Sequence, residues 1–187
     1  MTPHRDQPDL PRLIVIVASD AEELARRAAD HVVDACRLAE GPFTLALSGG
    51  VTPRRLSSLL ATAESGERMA WERVHVFLAD ERAVPPDHPD SNFGLAGELL
   101  PSRVPLPEWH IHRMAGEAED LEAAAANYEV ESARACREIA AHGVPVIDLV
   151  LLGLGSDGHT ASLFPGTAAL AETARGVVPN HVPELNT

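Results

Sequence analysis

Short apolar runs alternate with segments of helical character along most of this chain. The runs rich in Val, Leu and Phe read as strands, and the stretch after Asp20, which can cap a helix, carries apolar residues on one face to about residue 40. Strands that alternate with helices predict an α/β fold with a mostly parallel sheet. The 187 residues suit a single domain, residues 1–187. The predicted strands are Leu13–Ala18, Phe43–Leu47, Val74–Ala79 and Val146–Leu152.

Composition excludes several function classes. The chain has no lysine, which removes a Schiff-base lysine and a Walker-type phosphate lysine. A net charge of −13 argues against a nucleic-acid partner, although a few converging arginines could still bind an anion. The N-terminal residues lack a signal-peptide apolar region, and no run approaches membrane-spanning length, so we expect no membrane contact and a cytoplasmic location. The sequence does not determine the oligomeric state.

The most informative segment is Asp148–Gly166, DLVLLGLGSDGHTASLFPG. Its apolar start is typical of a strand buried on both faces, and functional groups of parallel sheets follow the carboxyl ends of strands. His159 is therefore the predicted proton carrier. Asp157 could orient the imidazole or cap the next segment, and backbone N–H groups near Gly155 and Gly158 could stabilise an oxyanion.

The glycines of this segment also match the dinucleotide fingerprint GxGxxG, but the context opposes that function. Pro165 ends the following helical segment early, and no acidic residue closes a second strand about 20 residues later. We therefore exclude a nucleotide site. A pair at His110 and His112 could bind a metal, but no third ligand lies nearby in the sequence, so we predict no metal site.

Two further strands end in polar residues. Ser48, Gly49 and Gly50 precede a helix that begins near Thr52, which favours either a phosphate site at the helix N-terminus or an ordinary strand-to-helix turn. Asp80-Glu81-Arg82 follows the next strand. Arg82 could bind phosphate, while Asp80 or Glu81 could accept sugar hydroxyls or orient Arg82. The alternative for this triplet is a solvated surface cluster.

SGGVTP, ADERAVPPDHPDSNFG and DLVLLGLGSDGHTASLFPG, in this order at three strand ends, resemble the 6-phosphogluconolactonases. The related glucosamine-6-phosphate deaminases share the first motif but differ in the other two. The resemblance covers most of Leu13–Val182. It implies a three-layer α/β/α fold with a mostly parallel, Rossmann-like sheet. The family continues past the position of Thr187, so we expect this chain to lack a C-terminal segment that normally adds a basic residue to the phosphate pocket.

The resemblance also implies a reaction, the hydrolysis of 6-phospho-D-glucono-1,5-lactone without a cofactor. Ser48, Gly49, Gly50, Thr52 and Arg82 would bind the phosphate end, and His159 would be catalytic. Two alternatives stay open. One is an amino-sugar-phosphate deaminase or isomerase, and the other is a non-catalytic remnant that only binds a sugar phosphate.

Overall fold

Helix α1 shows how the local sequence sets the fold. In a computed structural model, which describes residues 13–49, 51–97, 104–140 and 143–183, it spans Ala21–Leu38. The Asp20 carboxylate caps it by accepting hydrogen bonds from the N–H groups of Glu22 (2.9 Å) and Glu23 (2.8 Å). One face of the helix is buried, as its apolar spacing predicts. The buried residues are Ala25, Ala29, Val32, Val33 and Cys36.

Among the described residues, strands β1 (Phe43–Leu47), β2 (Val74–Leu78) and β3 (Leu149–Val150) form a parallel sheet in the order β2-β1-β3. In the central strand, Leu45 pairs with Val76 on one side and Leu149 on the other. Ile111 adds a single parallel bridge to Val76 at the outer edge of β2. Single 3₁₀ turns occupy Trp71–Arg73, Glu108–His110 and Ala168–Ala171. The remaining helices are α2 Val51–Leu60, α3 Ala63–Gly66, α4 Asn92–Gly97 and α5 Leu121–Ala135.

Helices cover both faces of this sheet. Helices α1 and α2 bury one face against a large apolar core that includes Phe43 and Val74. Helix α5 covers the other face, where Tyr128 packs with Phe77 and Ala46. The Tyr128 hydroxyl accepts a hydrogen bond from Leu78 N–H (2.9 Å) and lies 3.0 Å from the Leu78 carbonyl, which accepts its proton. The three-layer α/β fold with a parallel sheet is therefore confirmed.

The strand predicted at Leu13–Ala18 is wrong. These residues form no strand, and the side chains of Leu13–Val17 lie in solvent, with Leu13 85% and Val17 83% exposed. An apolar run becomes a strand only when the backbone groups of a neighbour pair with it, and no described residue provides that pairing. Among the described residues, no helix is long and apolar enough to cross a membrane.

Strand β3 is shorter and less buried than predicted. Only Leu149–Val150 pairs with β1, and Val150 is 43% exposed, because nothing among the described residues covers its outer side fully. Asp148 fixes the start of this strand instead. Its carboxylate accepts hydrogen bonds from the backbone N–H and hydroxyl of Thr44 (both 2.8 Å) and from the Arg137 guanidinium (2.8 Å). The loop that follows β3 therefore leaves the sheet from a fixed position.

A histidine cluster occupies the outer edge of β2. His75 Nδ1 lies 3.0 Å from His112 Nε2, and the ring of His110 stacks on His75 with centroids 3.9 Å apart. His112 Nδ1 in turn lies 2.7 Å from a carboxylate oxygen of Glu131 on α5. Burial and the two neighbouring imidazoles lower the pKa of His75 from 6.5 to about 4. Among the described residues, no three His, Cys, Asp or Glu side chains are arranged to bind a metal.

From the lowered pKa of His75 we predict that acid lowers the stability of the fold. The unfolded chain protonates His75 near pH 6.5, whereas the folded chain resists protonation until about pH 4. The contribution of neutral His75 to the free energy of unfolding is therefore complete above pH 6.5, and it is lost as the pH falls from 6.5 to about 4. We expect this loss of unfolding free energy to be about 1–2 kcal/mol, since solvent screens the half-buried ring. Chemical denaturation of His75→Gln at several pH values measures it.

The variant should show a smaller loss of unfolding free energy between pH 6.5 and 4 than the parent chain. His31→Gln, which removes an exposed histidine of α1, is the matched control and should keep the parental pH dependence. An unchanged pH dependence in His75→Gln would contradict the role of the cluster.

Candidate active site

A histidine–aspartate pair lies in the loop after β3. His159 Nδ1 is 2.5 Å from Asp157 Oδ1, and the same oxygen accepts a hydrogen bond from the His159 backbone N–H (3.2 Å). These bonds lower the pKa of Asp157, the contact with the imidazole being the larger cause. The carboxylate therefore stays ionised and assigns the ring proton to Nδ1. In the neutral ring, Nε2 of His159 is then the nitrogen that can accept a proton.

The imidazole of His159 is held from a second side as well. Its ring stacks on Phe164, with centroids 4.1 Å apart and an interplanar angle of 24°. About a third of its side chain surface, 31%, is exposed. The stacked aromatic ring and the carboxylate together fix the orientation of His159 while one edge stays accessible. This is the arrangement that general acid–base catalysis requires.

The backbone N–H groups of Gly155 and Gly158 form hydrogen bonds within this loop, which the sequence did not indicate. Gly155 N–H donates to the His159 carbonyl (2.8 Å), and Gly158 N–H donates to the Gly155 carbonyl (3.0 Å). These two amides are used within the loop, so they are not free donors for an oxyanion. Gly158 has φ +88°, a conformation that favours glycine. A Cβ on Gly155 would lie 2.3 Å from the His159 ring.

A cavity of about 500 Å³ lies beside this pair, on the side of the sheet that α5 covers. The carboxyl end of β2 and the loop after β3 contribute polar groups to it, while α5 and residues near Val177 supply an apolar wall. Its polar lining includes Asp80, Glu81, Arg82, His159, Thr160, Ser162 and Asn180. Two of the three predicted strand ends therefore meet at one cavity.

The first predicted motif begins at the end of β1, and its described residues Ser48 and Gly49 do not line this cavity. The Ser48 hydroxyl donates to the Leu151 carbonyl (2.8 Å), which ties the end of β1 to the end of β3. Gly49 admits the side chain of Asn92, because a Cβ there would lie 1.8 Å from Asn92 Oδ1. Gly50 and the side chain of Thr52 fall outside the described residues, although the backbone of Thr52 belongs to α2.

Asp80, Glu81 and Arg82 have three different environments. Asp80 is buried and accepts hydrogen bonds from Asn92 and Ser162. Glu81 holds the start of α4, where its carboxylate accepts bonds from the N–H groups of Asn92 (2.7 Å) and Phe93 (2.8 Å). Arg82 is exposed, and one guanidinium nitrogen donates to the Asp90 carbonyl (3.1 Å). Of the three, Arg82 is the side chain most available to a ligand.

Sequence reasoning missed three polar residues that hold the site together. Asn92 lies at the start of α4 and is 2% exposed. Ser162 belongs to the quoted histidine motif, so its position three residues after His159 was a usable signal. Asn180 donates from its side chain to the Ser162 carbonyl (2.7 Å) and the Thr167 hydroxyl (3.0 Å). No sequence pattern marks Asn180, since its partners come from distant positions.

The fold and the site together define a three-layer α/β protein with a histidine–aspartate pair at the carboxyl edge of a parallel sheet. Residues 19–186 match the family model described as glucosamine-6-phosphate isomerases/6-phosphogluconolactonase. The chain belongs to this family.

Individual relatives agree with this assignment. The chain is 49% identical over 130 residues to a 6-phosphogluconolactonase of Synechocystis sp., covering 70% of this chain and 52% of the relative. It is 40% identical over 159 residues to a 6-phosphogluconolactonase of Nostoc sp., covering 83% and 64%. The solved structure of 6-phosphogluconolactonase from Trypanosoma cruzi superposes with a TM-score of 0.72 at 34% identity, covering 86% of this chain and 65% of that one. The chain thus spans about half to two thirds of the length of these relatives.

Proposed function

We propose that this chain hydrolyses a phosphorylated sugar lactone, 6-phospho-D-glucono-1,5-lactone, to 6-phospho-D-gluconate in the oxidative pentose phosphate pathway. The observation that carries the proposal is the oriented His159–Asp157 pair at a cavity that Arg82 also lines. Membership of the family and the names of the relatives support the choice of substrate. The reaction needs water and an acid–base group, for which we propose His159, and we propose no cofactor or metal.

In the proposed mechanism, His159 acts first as a base. Its Nε2 removes a proton from a water molecule as the water oxygen attacks the lactone carbonyl carbon, and a tetrahedral intermediate forms. When the bond between this carbon and the ring oxygen breaks, the protonated imidazole returns its proton to the departing oxygen. Asp157 keeps the imidazole in place and stabilises its positive charge. The proton taken from water thus ends on the former ring oxygen, and the open-chain acid is the product.

The phosphate end of the substrate needs positive charge or N–H donors. We propose that Arg82 binds it, since a guanidinium forms paired hydrogen bonds with phosphate oxygens. The second proposed phosphate contact is made by Ser48, Gly49, Gly50 and Thr52, which precede or begin α2 in the sequence, because the first N–H groups of a helix and its dipole favour an anion. Gly155 and Gly158 contribute by shaping the histidine loop.

The proposal is tested by following proton release from freshly generated 6-phosphogluconolactone. The chain should raise the rate above that of the spontaneous hydrolysis, and it should release no ammonia from glucosamine 6-phosphate. Ammonia release would favour a deaminase or isomerase instead. Thermal stabilisation by 6-phosphogluconate without any added lactone hydrolysis would leave only a sugar-phosphate-binding function, and the proposed activity would be wrong.

Arg82→Ala is expected to weaken binding of the phosphorylated substrate. Loss of a charge-assisted contact to phosphate corresponds to about 1.5–3 kcal/mol, so KM should rise about ten-fold or more while kcat changes little. The measurement compares KM for the phosphorylated lactone with KM for unphosphorylated gluconolactone. Arg55→Ala, which removes an exposed arginine of α2, serves as the control. An equal loss on both lactones would contradict a phosphate role for Arg82.

The predicted cytoplasmic location stays a prediction, and a relative from Arabidopsis thaliana is named as chloroplastic. Cell fractionation with an antibody against the chain would test it.

A further inference from the structure

We propose that Asp80 is a positioning residue, which holds the loop of His159 against the end of β2 through Ser162, and that it does not bind the substrate directly. Asp80 follows the carboxyl end of β2, and its residue surface is 9% exposed. The kinetic part of this inference rests on the proposed function, while its spectroscopic part does not.

Both oxygens of the Asp80 carboxylate already have protein partners. Oδ2 accepts a hydrogen bond from the Ser162 hydroxyl (2.7 Å), and Oδ1 accepts one from the Asn92 side-chain amide (3.2 Å). The same amide nitrogen also donates to the Asp80 carbonyl (2.9 Å). A buried carboxylate is stable only when such donors replace water. Each oxygen of Asp80 therefore already has a protein donor, which favours a positioning role over binding of sugar hydroxyls.

Asn92 is in turn fixed by close packing. It is 2% exposed and lies against Gly49, where a side chain would overlap with Asn92 Oδ1. Its backbone N–H is bonded to Glu81 (2.7 Å). Because Asn92 cannot move without displacing these neighbours, it gives Asp80 a rigid support on the side opposite the histidine loop.

The other partner of Asp80 sits at a strained point of the histidine loop. Ala161, directly before Ser162, has φ +50°, a left-handed conformation that costs energy for a residue with a Cβ. Such a conformation persists only where surrounding contacts enforce it. The Thr160 hydroxyl donates to the Gly153 carbonyl (2.9 Å) before Ala161. After it, Ser162 is bound to Asp80 through its hydroxyl and to Asn180 through its carbonyl.

This strained turn lies between the imidazole of His159 and the aromatic ring that stacks on it. His159 precedes it, and Phe164, which stacks on the His159 ring, follows it. The bond between Ser162 and Asp80 therefore sets how far His159 and Phe164 project over the cavity. Small displacements of a catalytic group carry large rate costs, so loss of this bond should lower the rate without weakening substrate binding.

Ser162→Ala removes only the hydroxyl that reaches Asp80. We expect kcat to fall about ten-fold, while KM stays within about two-fold of the parent value. Ser162→Thr, which keeps a hydroxyl, should recover most of the rate. Ser58→Ala removes an exposed hydroxyl of α2 and is the matched control with parental kinetics. Parental kcat in Ser162→Ala would overturn the proposal.

Asp80→Ala separates positioning from direct contact with the sugar. If Asp80 acts through Ser162, adding Ser162→Ala to Asp80→Ala causes no further loss of kcat, because the bond that it removes is already absent. If Asp80 instead binds the substrate, Asp80→Ala raises KM, and the two losses multiply. That second result would overturn the proposal.

A spectroscopic readout does not depend on turnover. In protein labelled with ¹³C-histidine, the Hε1 signal of His159, assigned through its absence in His159→Ala, reports on stacking with Phe164. Ser162→Ala should shift this signal, whereas Ser58→Ala should not. A parent chain without lactonase activity would refute the proposed function but leave this test intact. An unshifted His159 signal in Ser162→Ala would refute the positioning role.

Discussion

His159→Ala should lower kcat for 6-phosphogluconolactone by about 10²–10⁴-fold, because the site loses the group that moves the proton in both halves of the reaction. KM should change little, since the phosphate contacts remain. Rates of proton release at saturating substrate, corrected for spontaneous hydrolysis, measure this effect. Asp157→Asn should cause a smaller loss, because the imidazole remains but loses the carboxylate that orients it.

The control for this prediction is His31→Ala, which removes an exposed histidine of α1. It should keep the parental kcat and melting temperature. His159→Ala should also keep the melting temperature, since His159 lies in a partly exposed loop and outside the core. Parental turnover in His159→Ala would contradict its catalytic role.

Gly155→Ala should reduce kcat by about 10²-fold with little change in the fold. The added Cβ would lie 2.3 Å from the His159 ring and 2.7 Å from Asp157 Oδ1. The histidine–aspartate pair must therefore move, and a displacement of about 1 Å can cost this much in rate. Kinetics and the melting temperature of the variant measure the two effects separately.

Gly153→Ala is the matched control within the same loop. A Cβ at Gly153 meets no atom within 4 Å, and its φ does not require glycine. This variant should therefore keep the parental rate. Equal losses in the two variants would show that the loop tolerates no alanine at all, and they would contradict a specific effect on the pair. Parental activity in Gly155→Ala would contradict the described packing of His159.

The sequence predicted the elements that local patterns control. The capped helix α1, strand β1 and most of β2 follow from apolar spacing and from the Asp20 cap, and the structure confirms them. The strand at Leu13–Ala18 failed, although its composition was equally favourable. A strand needs hydrogen bonds from another segment, and no local pattern reveals whether that segment is present.

The residues of the candidate site can also be separated into those that local patterns predict and those that depend on distant partners. His159, Asp157, Asp80 and Arg82 were predicted as site residues because they follow the ends of strands. The structure places His159, Asp80 and Arg82 at one cavity. The amides of Gly155 and Gly158 were expected to face an oxyanion, but they donate to carbonyls within the loop, which composition could not predict. Asn92 and Asn180 became visible only through their contacts, because their bonds join residues that are more than ten positions apart.

The α/β class and the functional residues at three strand ends could be predicted from the sequence, because apolar periodicity and the Gly and Pro residues that end helices and strands are local properties. The tertiary structure alone decided which of those residues meet and what each one does. It assigned a proton to His159 Nδ1 through a carboxylate at 2.5 Å, and it surrounded the Asp80 carboxylate with two donors. Hydrogen bonds act over about 3 Å, and only the folded chain brings distant residues within that range.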